Sequence, residues 1–390
     1  MADSSVRVRL SQPRPVGGKA QRKRVQACGF VSASKGDEVF LKNVWYAAWW
    51  SGDLLPGQLR SRTSAGVPLH FWKDENGATS AVLDRCPHRQ APLSLGKHVA
   101  GGVQCGYHGL TFNGAGACIA NPHGPIVAAL RVQAFPVAER HRIVWIWMGP
   151  AAEADSGSIP DLGFADKCPG TAYSNGYIPT EAGHQLIADN ILDLTHADYL
   201  HGSNLGGGAL TRTRPRVEVQ GGSRVFVEWL SKGDLVPPFF RAELPSTDGT
   251  GDIWNSVLWH PNGVMVLRFG ATASGAPREL GIDTWNAHLA TPESARTTHY
   301  FYFNTRSFRL EDADYNTQYA AAMRHAFSVE DKPMLEGQQR RLGDADLFDC
   351  NPVLLASDMA STRARKLYAE LLALESATPA LDASRSAAAV

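Results

Sequence analysis

The chain carries Cys86-Pro87-His88 and, after sixteen intervening residues, Cys105-Gly106-Tyr107-His108-Gly109. Each knuckle holds one thiol and one imidazole. Structural zinc sites more often pair two cysteines in one knuckle and two histidines in the other, so mixed knuckles argue against zinc. They suit a [2Fe–2S] cluster in which one iron takes both cysteines and the other both histidines, because each loop then reaches both metals. Replacing two thiolates by neutral imidazoles removes negative charge, so such a cluster accepts an electron more readily than an all-cysteine one. Pro87, Gly106 and Gly109 fit tight ligand loops, since a backbone that approaches sulfur leaves no room for a Cβ. The segment predicts an electron relay.

Around this pair, over residues 39–150, short apolar or alternating runs at 44–50, 68–72, 79–83 and 143–148 are broken by Gly, Pro, Asn and Asp. That texture predicts a small strand-rich domain. Upstream, residues 1–38 are rich in Arg and Lys and hold one acid, Asp3, before Asp37. They read as a disordered basic tail, with an organelle-targeting segment as the other reading. Downstream, 151–161 looks like a linker. Beyond it, helical signal at 181–200, 312–327 and 361–374 flanks strand signal at 224–229, 256–259, 263–270 and 297–303. Strands flanked by helices predict an α+β domain over 151–375, followed by a disordered tail at 376–390.

Composition excludes several classes. Lys+Arg 38 against Asp+Glu 38 leaves no basic surplus for phosphates, so nucleic acid is not the expected partner. No run of about 18 apolar residues and no apolar leader occurs, which predicts a cytoplasmic protein without a membrane partner. Six cysteines are too sparse for a disulfide framework; Cys28, Cys118, Cys168 and Cys350 are expected to be reduced, buried and inert. Neither a G-x-G-x-x-G nor a P-loop is present, so electrons from NAD(P)H must arrive through another protein.

A second constellation is Asn190-Ile-Leu-Asp193-Leu-Thr-His196-Ala-Asp-Tyr-Leu-His201. On a regular helix, positions five apart diverge by about 140°, so two imidazoles at that spacing cannot face one ion while the helix continues. Gly202, Gly206, Gly207 and Gly208 supply a stop after His201. Two histidines and one carboxylate would make the facial triad of a non-haem Fe(II) oxygenase, with positions left for O₂. Two histidines alone are a weak signal, and packed or solvated imidazoles are the other reading. An electron relay in the same chain needs an acceptor, and that favours the metal.

The ordered motifs, Cys86-Pro-His88 with Cys105-Gly-Tyr-His108-Gly and then Asn190-x-x-Asp193-x-x-His196-x-x-x-x-His201, resemble the oxygenase components of the Rieske non-haem iron family. The likeness covers about residues 40–370 and is nearest the monooxygenase branch that holds vanillate and dicamba O-demethylases. It implies a Rieske β-fold domain followed by a helix-grip, START-like catalytic domain with an antiparallel sheet. It extends to Phe327-Ser-Val-Glu-Asp331-Lys-Pro-Met-Leu-Glu336, where Asp331 would complete the iron site with His196 and His201; Glu330 is its rival, and a helix cap before Pro333 is the structural alternative. Asp193 would bridge His108 of a neighbouring subunit to His196 within a homotrimer, and Asn190 would contact the iron's open side or bond within its helix. His260 and Asp283 would touch substrate, with Trp285 and His288 as further candidates. The implied activity is O-demethylation of a small aromatic methoxy compound using O₂ and electrons from a separate ferredoxin or flavin reductase. N-dealkylation and hydroxylation are the alternatives within the branch. An electron carrier without oxygenase activity and a ring-dihydroxylating dioxygenase are the rivals outside it.

Overall fold

In a computed structural model, residues 40–202, 204–244 and 248–377 are described. The basic tail at 1–38, with Cys28, and the tail from residue 378 lie outside them. The helix Met359–Ala377 continues past the expected end of order at 375. No helix among the described residues is long and apolar enough to cross a membrane.

The N-terminal part is built from three small antiparallel sheets. One joins Trp45–Trp50, Ile143–Trp147 and Val137–Arg140; a second joins Leu59–Ser64, Val67–Lys73, Thr79–Leu83 and Ala134–Phe135. The third, of Lys97–Val99, Gly102–Gln104, Thr111–Phe112 and Cys118–Ala120, carries the second cysteine knuckle between its middle strands. The four runs read as strands from alternation are all present.

The C-terminal part is one seven-stranded antiparallel sheet with an unusual entry. Its first strand, Tyr173–Thr180, pairs with its last, Thr297–Arg306, while the rest form a meander from Arg216–Gln220 through Arg224–Leu235, Thr250–Trp259, Val264–Thr272 and Ile282–Ser294. The chain therefore leaves one sheet edge, crosses a face as residues 184–212, and re-enters at the opposite edge. That crossing holds both histidines of the second motif.

Both faces of the sheet are covered, which explains why Thr297–Arg306 is buried at nearly every position. Phe301, Phe303, Leu289 and Ala287 point to the N-terminal part and meet Trp45, Trp50, Trp145 and Trp147. Tyr300, Tyr302, Met265 and Trp259 point the other way and pack under Leu186, Ile187 and Ile191 of the crossing helix and under Phe327 and Leu335. The C-terminal helix clamps the crossing helix through Arg365, which forks onto Asp189 at 2.7–3.1 Å. Both partners are half-buried, and Arg365 also donates to Gln185 and Asp346, at 2.6 and 3.0 Å.

Two expectations need correction. The helical signal at 181–200 is not one helix but a helix at His184–Leu192, a 3₁₀ turn at Leu194–His196 and a single α-helical turn at Ala197–Leu200. The helix stops before both histidines, because the Asp193 carboxylate accepts the Thr195 N–H at 3.0 Å and diverts the backbone. Strands Tyr173–Thr180 and Ile282–Ser294 carry no clear signal in the sequence. The first contains Asn175, Gly176 and Pro179, tolerated on an edge strand, and the second carries Pro292 at a register shift. Of the cysteines expected to be buried and inert, Cys118 is buried and Cys168 and Cys350 are partly exposed.

Candidate metal centres

The two cysteine knuckles share one backbone pattern. Cys86 N–H donates to Ala91 O at 2.8 Å and Gln90 N–H to Cys86 O at 2.9 Å; Cys105 N–H donates to Leu110 O at 2.8 Å and Gly109 N–H to Cys105 O at 3.0 Å. Gln90 and Gly109 occupy equivalent positions, and both are left-handed, with φ of 60° and 75°. Glycine marks that turn in the sequence at 109, whereas Gln90 gives no such sign, since Gln seldom adopts that region. The loops also touch: a Cβ on Gly106 would lie 2.7 Å from Leu95 O, so any side chain would push the ligand pairs apart. Asp84 fixes the first loop from below, accepting from Ser94 N–H at 2.8 Å and Ser94 Oγ at 2.6 Å.

Within this frame Cys86 and Cys105 are buried at 2% exposure, whereas His88 is exposed and His108 half-buried, their ring centroids 4.5 Å apart. Burial pushes the Cys86 thiol up and the neighbouring Cys105 adds to the rise, so a metal is what would hold Cys86 as a thiolate. Among the described residues, no three of these four donors converge within 4.8 Å of one another. A tetrahedral zinc, about 2.0–2.3 Å from every donor, would require that convergence. The wider spacing, cysteines inside and histidines outside, fits a two-iron cluster.

Three donors do converge: His196, His201 and Asp331 offer ligand atoms all within 4.8 Å. His196 Nε2 lies 3.5 Å from Asp331 Oδ1 and His201 Nε2 3.2 Å from Oδ2. Asp331 is 3% exposed and ends a π-helical turn, Ala326–Asp331, that runs into the helix Lys332–Leu342. It stands at that helix's N-cap position yet makes no side-chain cap hydrogen bond, which removes the capping alternative. A π turn inserts an extra residue and re-aims the side chains at its end, here turning Asp331 inward. Burial alone would depress His201, but hydrogen bonds and charge from Asp331 and then Glu330 outweigh it and raise its affinity for a proton. Two imidazoles and a carboxylate on one side of a point, in a largely buried site, fit a mononuclear iron with open positions.

Three further polar residues surround the triad. Asn190 donates to Asp331 Oδ1 at 3.2 Å, so it sits against the triad rather than bonding within its own helix. His196 Nδ1 lies 2.6 Å from the backbone carbonyl of Asp193, while Oδ1 of the Asp193 carboxylate accepts from Thr195 N–H and Oγ1. Glu330 is not in the triad; its carboxylate is 2.6 Å from His201 Nδ1.

The four candidate substrate contacts separate. His288 is fully buried, its Nδ1 2.6 Å from Tyr300 Oη, its ring edge-on to Phe327 at 5.2 Å, and its charge coupled to Asp331 and His196. Burial pushes it down to about 4, so the ring is neutral near pH 7, and its Nε2 has no hydrogen-bond partner. Trp285 and Asp283 lie an odd number of residues away on the same strand and therefore face the opposite side. There Arg268 grips Asp283 at 2.6 Å and stacks over Trp285 at 4.8 Å, while Phe164 packs on the Trp285 ring. His260 lines a cleft with Asn43, Trp45, Arg140 and Arg224 at the junction with the N-terminal part, not with the triad. Strand parity, readable at 283, 285 and 288, would have separated these candidates.

Family comparison agrees with this arrangement. Residues 44–136 match the Rieske [2Fe-2S] domain, and residues 180–374 match the vanillate O-demethylase oxygenase C-terminal domain. The chain is 35% identical to the oxygenase component of chloroacetanilide N-alkylformylase from Rhizorhabdus wittichii, over 84% of this chain and 94% of that protein. It is 34% identical to the oxygenase component of dicamba O-demethylase from Stenotrophomonas maltophilia, over 87% and 99%. The crystal structure of dicamba monooxygenase bound to 3,6-dichlorosalicylic acid superposes with a TM-score of 0.80 at 33% identity, covering 87% of this chain and all of that one.

Proposed function

The chain belongs to the Rieske oxygenase components of the vanillate O-demethylase type, an oxygenase with a [2Fe–2S] cluster and a non-haem iron, and from that premise we propose that it O-demethylates a small aromatic methoxy compound. The observation that carries the reading is the converging His196–His201–Asp331 triad, two of its members buried, beside one buried imidazole with an unused nitrogen, His288. In this reading residues 39–150 are the relay domain and 151–375 the catalytic domain. Electrons come from a separate component, which we take to be a ferredoxin or a flavin reductase. His88 and His108 face solvent beside exposed Leu95 and Tyr107, which supports transfer to the triad of a neighbouring copy in a homotrimer.

Cys86, His88, Cys105 and His108 would hold the cluster, and His196, His201 and Asp331 the iron. Together these groups supply single electrons and O₂ activation when bound. The rest is the chain's own work. Asn190 holds one oxygen of Asp331, and the Asp193 carbonyl takes the Nδ1–H of His196, so both ligands are aimed before iron arrives. Burial pushes the Tyr300 hydroxyl well up, so it keeps its proton, and we assign it as the donor to His288 Nδ1 at 2.6 Å. The neutral ring then carries its own proton on Nε2, a donor for a substrate carbonyl, carboxylate or ether oxygen. Phe327 packs edge-on against both His288 and Tyr302 on this side of the sheet. Hydroxylating a methyl group on oxygen gives a hemiacetal, which collapses to a phenol and formaldehyde.

The test is formaldehyde release from a panel of methoxy- and N-alkyl arenes, with NADH and a surrogate reductase. Aldehyde from methoxy arenes is the expected result. The relative named an N-alkylformylase supports oxidative N-dealkylation as the second reading, and aldehyde from the N-alkyl members alone would replace the first reading with it. None from either class would point to plain hydroxylation. For the accepted substrate, His288→Leu should raise KM by about 10- to 100-fold, the worth of one buried hydrogen bond to a charged or polar group, with iron content unchanged. An unchanged KM would remove His288 from the substrate site.

A further inference from the structure

The two imidazoles of the triad are backed by unlike groups. His196 Nδ1 meets a neutral backbone carbonyl at 2.6 Å, whereas His201 Nδ1 meets the Glu330 carboxylate at 2.6 Å. Glu330 immediately precedes Asp331, so a single π-helical turn delivers both a buried carboxylate to the triad and a second carboxylate to the rear of His201. The same turn brings the other Glu330 oxygen to 3.8 Å from His325 Nε2, five residues earlier, a spacing that an α-helix would put on different faces. His325 is exposed at its side chain, His201 is not.

We propose that Glu330 is a positioning residue for the iron site: it fixes His201 with Nδ1–H turned outward and Nε2 inward, and its charge makes His201 the stronger nitrogen donor of the pair. The proposal rests on reading His201 as an iron ligand. A charged acceptor behind an imidazole raises its basicity more than a carbonyl does, and losing such a partner typically costs about 10- to 100-fold in metal affinity. His325 touches Glu330 only at long range from the solvent side and contributes little to the geometry.

The full-length protein loaded with iron, cluster intact, tests this by mononuclear iron retained under chelator challenge and by electron paramagnetic resonance of the nitric oxide adduct. Glu330→Ala should weaken retention about 10- to 100-fold. Glu330→Gln should recover much of that, since its amide oxygen still accepts from Nδ1, yet give an altered adduct spectrum because the charge is gone. His325→Ala should leave both readouts as in the parent. Glu330→Ala with parental retention and spectrum would overturn the proposal. So would Glu330→Gln no better than Glu330→Ala, or His325→Ala as damaging as Glu330→Ala. His201→Ala separates the two levels: if it keeps the iron, the ligand assignment itself fails. If it alone loses the iron, that assignment stands and only the role of Glu330 falls.

Discussion

Asp331→Ala is expected to remove the mononuclear iron and abolish product formation while leaving the cluster's visible absorption intact. Asp331 is the one carboxylate among the described residues that converges with His196 and His201, and it lies between them at 3.5 and 3.2 Å. Two imidazoles without it are a weak, neutral donor set for a hard divalent cation. Removing a partner of a ligand already costs about 10- to 100-fold in affinity, so losing the ligand itself should exceed about 100-fold. The fold should survive, since Asp331 caps no helix and the π turn is held by Phe327 and Ala326 in the core. Iron analysis should fall from about three to about two per chain, with turnover below detection. Turnover retained in this variant would mean that Glu330 swings from His201 to the metal, and the triad would have to be redrawn.

Cys86→Ser should have an effect of similar size through the other centre. The hydroxyl of serine does not ionise near neutral pH, and the site it would occupy is 2% exposed, so no thiolate replaces the lost ligand. Iron should drop to about one per chain, the visible absorption should vanish, and product formation driven by a reductase should stop while the mononuclear iron stays bound. The two loops meet backbone to backbone at Gly106 and Leu95, so a change at one ligand is felt by the other pair. A variant that keeps its absorption, or a parent protein that carries stoichiometric zinc in place of iron, would refute the cluster assignment.

The two predictions differ in how much of their basis the linear chain discloses. The cysteine knuckles are local, the members of each ligand pair lie two or three positions apart, and the glycine at 109 announces a left-handed turn that the structure contains. Strands 45–50, 67–73, 79–83 and 143–147 are equally legible because alternation is a property of neighbours. The histidine pair is visible too, and the helical turn Ala197–Leu200 ends at His201 as the glycines suggest, but the earlier break at Asp193 is not legible.

Candidates from the later strands are the least legible. His260, Asp283 and Trp285 are polar or aromatic at plausible places, yet only His288 shares a side of the sheet with the triad. Parity separates 285 from 288, but which parity faces the iron depends on what covers each face of the sheet.

The two Cys–His knuckles, the His196–His201 pair and the α+β character were therefore written in local chemistry and short-range periodicity, which the chain order alone determines. The convergence of Asp331 rather than Glu330 on the histidine pair, the carboxylate placed behind His201, and which strand candidate shares the triad's side of the sheet were decided by tertiary structure. Glu330 and His201 are 129 residues apart, and they meet because the first strand pairs with the last and sends both segments across the same face. Contacts at that separation depend on sheet order and on one extra residue in a π turn, and neither leaves a mark in the spacing of neighbouring residues.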